Sequence, residues 1–106
     1  MNDFVVVMVT SPDREEAGKI ARTLLEKRQA ACVSIHPRGE SLFWWEGRID
    51  RAEEFLLIAK TSRARLEGLT ATVREIHGYK VPEIVALPLV GGSREYLEWL
   101  AGEVSR

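Results

Sequence analysis

Cys32, His77 and Glu83 are the candidates in this chain for holding a metal ion, as a thiol, an imidazole and a carboxylate. A thiolate is a soft donor for copper(I), zinc or mercury, and its free pKa of about 8.5 falls beside a cation or metal. Cysteine is also among the most buried residue types, and in Ala30-Ala31-Cys32-Val33 it fits equally well as a small core hydrophobe. His77 lies near the end of a predicted helix, where an imidazole either ligates or balances the negative helix end. Glu83, next to the rigid Pro82, offers an oxygen ligand or an ion pair with a lysine across an interface. No zinc-finger or HExxH spacing links these residues. A site shared by Cys32 and His77 therefore has to be assembled by folding or between subunits.

Lys60 and Tyr79 are candidates to line the same cleft, where an ammonium would favour an anion over a bare cation. The competing readings are a solvated strand-end lysine and a packed tyrosine with its hydroxyl satisfied. In Ser41-Leu42-Phe43-Trp44-Trp45-Glu46-Gly47-Arg48-Ile49, two adjacent indoles run into an acidic turn. Each indole has roughly 150–250 Å² to bury, and neighbours on a strand point to opposite faces. The second indole needs a ligand pocket, another subunit or a sheet end, and aromatic anchoring favours the subunit contact. Trp45 and Glu46 accordingly read as interface architecture, with the carboxylate accepting a hydrogen bond from a neighbouring chain. Glu46 has no second carboxylate spaced for paired acid and base work. Val90-Gly91-Gly92-Ser93 reads as a turn before a capped helix, and no phosphate loop is recognisable.

The elements that must position these groups follow from periodicity. Phe4-Val5-Val6-Val7-Met8-Val9 is a continuous β-branched run, the pattern of a central strand. Thr10-Ser11-Pro12-Asp13 supplies a hydroxyl cap and a proline for the first turn of a helix whose apolar face is Ala17, Ile20, Ala21, Leu24 and Leu25. Ala30 to Ile35 returns as a strand that breaks at His36-Pro37-Arg38-Gly39. Gly47 turns or bulges the chain, and a bent ribbon leads through Ile49 to the apolar strand Phe55 to Ala59. Thr61 and Ser62 are expected to cap a second helix through Leu66, Leu69, Val73 and Ile76, stopped by a left-handed Gly78. Val81 to Leu89 has strand character, but Pro82 and Pro88 lack a ladder donor, so this strand should lie at an edge or serve only partly as a ladder. Ser93 caps a last helix with Tyr96, Leu97, Leu100 and Val104 on one face.

That order, β-α-β-β-α-β with an extra C-terminal helix, predicts an α+β, ferredoxin-like split βαβ sandwich over a single domain, residues 1–106. Both main helices would cover one face of the sheet and leave the other for a subunit contact. The chain has 106 residues, enough for a two-layer core and too few for an active site between two domains. Lys plus Arg, 15, against Asp plus Glu, 16, gives no concentrated positive field, so nucleic acid and an anionic membrane surface are not expected partners. A single cysteine and no recognisable leader at Met1-Asn2-Asp3 point to the cytoplasm.

Taken together, Ala30-Ala31-Cys32-Val33, Phe43-Trp44-Trp45-Glu46-Gly47, Leu56-Leu57-Ile58-Ala59-Lys60-Thr61, Val81-Pro82-Glu83-Ile84 and Tyr96-Leu97-Glu98-Trp99 resemble the CutA divalent-cation-tolerance family. The resemblance covers almost the whole chain. It implies a ferredoxin-like subunit in a compact homotrimer of PII-like architecture, with a link to copper and other divalent ions. Two positions depart from the pattern. Lys80 stands where the family usually carries an acidic residue, which works against cation capture by that loop, and His36 replaces a less distinctive, often apolar residue.

Three function classes follow. The first is a non-enzymatic, trimeric protein that binds copper or related divalent ions and contributes to the response to metal ions, with no metal required for folding. The second is a PII-like regulatory module that binds a small anion or a partner protein at inter-subunit clefts. The third is a hydrolase with Cys32 as nucleophile and His77 as base, which needs an activated, exposed thiolate.

Overall fold

The computed structural model describes residues 3–105. The β-branched run forms β1, Phe4–Ser11, and Asp13 caps α1, Arg14–Glu26, by accepting the Glu15 amide. The cap is thus a carboxylate and not the expected hydroxyl. Ser11 remains in the strand, fully buried, and donates its hydroxyl to Glu16 at 2.6 Å. β2, Cys32–Trp45, and β3, Arg48–Ser62, form one long antiparallel ribbon. Glu46 and Gly47, at φ 51° and 82°, both adopt the left-handed conformation of a tight hairpin turn. The expected break at His36-Pro37 is only a register shift between His36 and Gly39, with β2 continuing through the proline at the sheet edge.

A 3-10 turn, Arg63–Arg65, leads into α2, Leu66–Ile76. Neither expected cap operates there. Ser62 makes no capping hydrogen bond, and Thr61 belongs to β3 with its buried hydroxyl unpartnered among the described residues. The helix ends at His77 in an extended conformation, and the left-handed exit expected at Gly78 is not used. β4, Ile84–Pro88, pairs only with β1, which gives the sheet order β2-β3-β1-β4 with every pairing antiparallel. The prolines near β4 are tolerated because that strand lies at an edge. Ser93 caps α3, Arg94–Val104, by accepting the Tyr96 amide.

The apolar positions of α1 and α2 pack with Val5, Val7, Val9, Leu57 and Ala59 in one core. Alternation along the strands places Val6, Met8, Ile58 and Lys60 on the opposite face, where α3 seats Leu100 and Val104 against Phe4. That second face is therefore covered at one end, while Val85 and Leu87 on β4 stay exposed. Two arginines outside α3 hold its C-terminal end: Arg28 donates to the Glu103 carbonyl and carboxylate, and Arg65 donates Nε–H to the Val104 carbonyl at 2.7 Å.

Candidate functional site

Cys32 opens β2 directly opposite Lys60, whose other cross-strand neighbour is Val6. The first turn of α3 crosses above this row. Tyr96 Oη and Cys32 Sγ share a hydrogen bond at 3.4 Å, Lys60 Nζ stands 5.7 Å from the centre of the Tyr96 ring, and Trp99 packs on the same ring at 5.5 Å. The Tyr96 hydroxyl pKa is pushed up to about 12 by its bond to Cys32 first, then by burial and by the charge of the sulfur. The half-buried thiol is thus bonded to a phenol whose ring also faces the ammonium of the cross-strand lysine. At this place the chain offers a metal one soft donor, with a positive charge close by that opposes a bare cation.

His77 lies elsewhere. Its side chain is fully buried, Nε2 donates to the Thr10 carbonyl at 2.6 Å, and Nδ1 accepts the Tyr79 amide at 3.1 Å. Glu16 stands 3.6 Å from Nδ1 and accepts the Ser11 hydroxyl and the Gly78 amide, the latter at 2.8 Å. Tyr79 in turn donates its hydroxyl to the buried Glu54 at 3.1 Å, and burial followed by this carboxylate raises the tyrosine's pKa. Both imidazole nitrogens are committed to backbone groups, so the network fixes residues 77–79 between β1, α1 and β3. A side-chain carbon at Gly78 would meet Glu16 Oε2 at 3.2 Å, which explains a glycine at a position with ordinary φ.

The chain does not bring Cys32 and His77 together. Thr10, the partner of His77, lies four residues along β1 from Val6, or roughly 13 Å at strand rise. The α2 layer that carries His77 also covers the opposite face of the sheet from α3. A thiol hydrolase needs its base within hydrogen-bond reach of the sulfur, a geometry not formed here. Glu83 is exposed just before β4, and Lys80 is exposed in the same connection. Among the described residues no group of three or more His, Cys, Asp or Glu side chains is placed to hold a metal ion.

Trp45 and Glu46 sit at the tip of the ribbon. Trp44 is 72% and Trp45 43% exposed, with Leu42, Phe43 and Ile49 also open beside them. Trp44 is left mostly open by its own chain, and Trp45 is covered only in part. A concavity of about 1010 Å³ lies at the far end of α3, where Arg63 pairs with Asp3 at 3.4 Å and Arg65 with Val104. It lies two residues along β1 and β3 from the Val6–Lys60 pair, at the other end of α3 from Tyr96, and its two arginines are already partnered. Among the described residues no helix is long and apolar enough to cross a membrane.

Sequence reasoning missed Tyr96, Glu16 and Glu54. Tyr96 shares helical spacing with Leu100 and reads as core, although its position in the first turn after Ser93 leaves it half open over Cys32. The local signal for Glu54 is a carboxylate immediately before the apolar run of Phe55 to Ala59.

A family model described as CutA1 divalent ion tolerance protein matches residues 5–103. The chloroplastic CutA protein of Arabidopsis thaliana is 49% identical over 96 residues, which are 91% of this chain and 53% of that protein. The chain spans about half the length of this plant relative and of its rice counterpart, of which the match covers 54%. The divalent-cation tolerance protein CutA of Thermus thermophilus is 46% identical over 90% of this chain and 92% of its own length. Solved structures agree: a Thermus thermophilus divalent cation tolerance protein superposes with a TM-score of 0.93 at 44% identity, covering 94% of this chain and 97% of that one. The CutA1 structure from Oryza sativa gives 0.93 at 43% identity, covering 96% and 94%.

Proposed function

The chain belongs to the CutA1 divalent ion tolerance family, and from that premise we propose a non-enzymatic protein that works as a homotrimer and binds copper or related divalent ions where protomers meet. The carrying observation is the exposed aromatic ribbon tip, Leu42 to Ile49. At about 25 cal/mol for each Å² of apolar surface, leaving two indoles and their aliphatic neighbours wet forgoes several kcal/mol that a second copy recovers. The open part of the sheet face at Val85 and Leu87 gives that copy a second apolar surface. The strand order supports a ferredoxin-like subunit, and the family supports the PII-like trimer.

Metal contact in this reading uses Cys32 as the soft donor and Glu83 as an oxygen donor from a neighbouring protomer. Lys60, Tyr79 and Glu46 line the cleft between them. His77 serves by fixing the loop that leads to Glu83. The lone thiol and the absence of a three-donor cluster among the described residues favour a site completed between chains over one held within a chain. A reduced cysteine fits a cytoplasmic location. The test is copper titration of the assembled protein against Cys32→Ser, with the assembly state of both read by sedimentation.

A further inference from the structure

We propose that this protein carries a second binding site, for a phosphate group, between α2 and the connection to β4. A cavity of about 340 Å³, open on one side, is lined by Thr70, Arg74, Lys80, Val81, Pro82 and Ile84. Thr70 and Arg74 are four residues apart on α2 and so share a face of the helix, while Lys80 reaches the cavity from the loop. Among the described residues neither Arg74 nor Lys80 has an ion-pair partner, unlike Arg28, Arg51, Arg63 and Arg94. The chain as a whole carries a formal net charge of −1, so it has no general attraction for anions and this pair of cations is a local feature.

The loop is held before any ligand arrives. Gly78 and Tyr79 donate their amides to Glu16 and His77, and Tyr79 anchors to Glu54. Lys80 is the next residue, so its backbone starts from a fixed position and ordering it costs little on binding. Pro82 and Ile84 line the cavity while Glu83, between them, does not. The planar guanidinium of Arg74 supplies a bidentate fork for a phosphate, Lys80 a point charge and Thr70 a hydroxyl donor. The apolar rim of Val81, Pro82 and Ile84 suits the organic part of a small phosphomonoester.

The experiment is calorimetric titration of the intact protein with inorganic phosphate and with phenyl phosphate, at low ionic strength and with a chelator present so that metal binding does not contribute. Saturable binding of phenyl phosphate is expected, tighter than that of inorganic phosphate. Lys80→Glu and Arg74→Gln should each weaken it about tenfold or more, the worth of one charge-assisted hydrogen bond. Arg22→Gln, on the outer side of α1, should leave it unchanged. All three side chains are exposed, so equal melting of the variants confirms folding. Equal affinity for the two probes, lost in Lys80→Glu, would identify free phosphate as the ligand. Absence of saturable binding, or equal weakening by Lys80→Glu and Arg22→Gln, would overturn the site.

Discussion

Replacing His77 with alanine is expected to destabilise the protein by about 3 kcal/mol, although the residue lies outside the long hydrophobic runs. Its side chain is fully buried and makes two hydrogen bonds, to the Thr10 carbonyl at 2.6 Å and from the Tyr79 amide at 3.1 Å. Truncation orphans both, at about 1–3 kcal/mol for each buried group, with the amide at the lower end because Tyr79 is partly open. The imidazole also packs against the Tyr79 ring at 4.9 Å, a contact of order 0.5–1.5 kcal/mol. The loss is measured by denaturant unfolding of wild type and His77→Ala at one fixed protein concentration, because unfolding coupled to dissociation moves with concentration. His36→Ala is the control. That histidine is exposed and, among the described residues, bonds to Ser34 at 2.9 Å, so its replacement should stay within about 0.5 kcal/mol. A His77→Ala protein as stable as the control would refute the view that this imidazole ties β1 to the loop.

At high pH, Tyr96 provides the next test. Its folded pKa of about 12 lies above the ordinary 10.0, so the folded chain keeps this proton where the unfolded chain loses it. The associated stability is complete below pH 10 and is lost as pH rises towards 12. Tyrosinate absorbance should show both tyrosines titrating late, Tyr79 because of burial and Glu54, and Cys32→Ala should move only the Tyr96 transition down towards 10; a titration unchanged by Cys32→Ala would mean that the sulfur is not the main cause. At the ribbon tip, Gly47→Ala should cost about 1 kcal/mol through its left-handed φ alone, since an added carbon there meets no atom within 4 Å. Unchanged melting would show that the turn relaxes freely.

Periodicity made much of the fold legible. The β-branched run of β1 and the helical spacing from Ala17 to Leu24 each reflect burial on one continuous face, which sequence records directly. Caps were less legible because several hydroxyls and carboxylates compete within four residues. Asp13 caps α1 while Ser11 turns inward to Glu16, and Thr61 stays in β3. The site was least legible, because a single register shift decides its composition. Near the turn Trp45 faces Arg48 and Gly39 faces Glu54; carried back unshifted, that register would set Cys32 opposite Thr61, on the helix-covered face. The shift between His36 and Gly39 sets it opposite Lys60 instead, under Tyr96. No local pattern around Cys32 encodes that outcome. The two indoles, by contrast, announced an unmet need for burial that their own chain leaves unmet.

The most direct test of the account is a copper titration of the assembled protein, wild type against Cys32→Ser, with both confirmed by sedimentation to contain three chains. A site completed between protomers from Cys32 predicts saturable binding in the wild-type trimer, loss of most of that affinity in Cys32→Ser, and weakening on acidification as protons compete for the thiolate. Equal copper affinity in the two trimers, or a wild-type protein that sediments as a single chain and still binds copper, would contradict it.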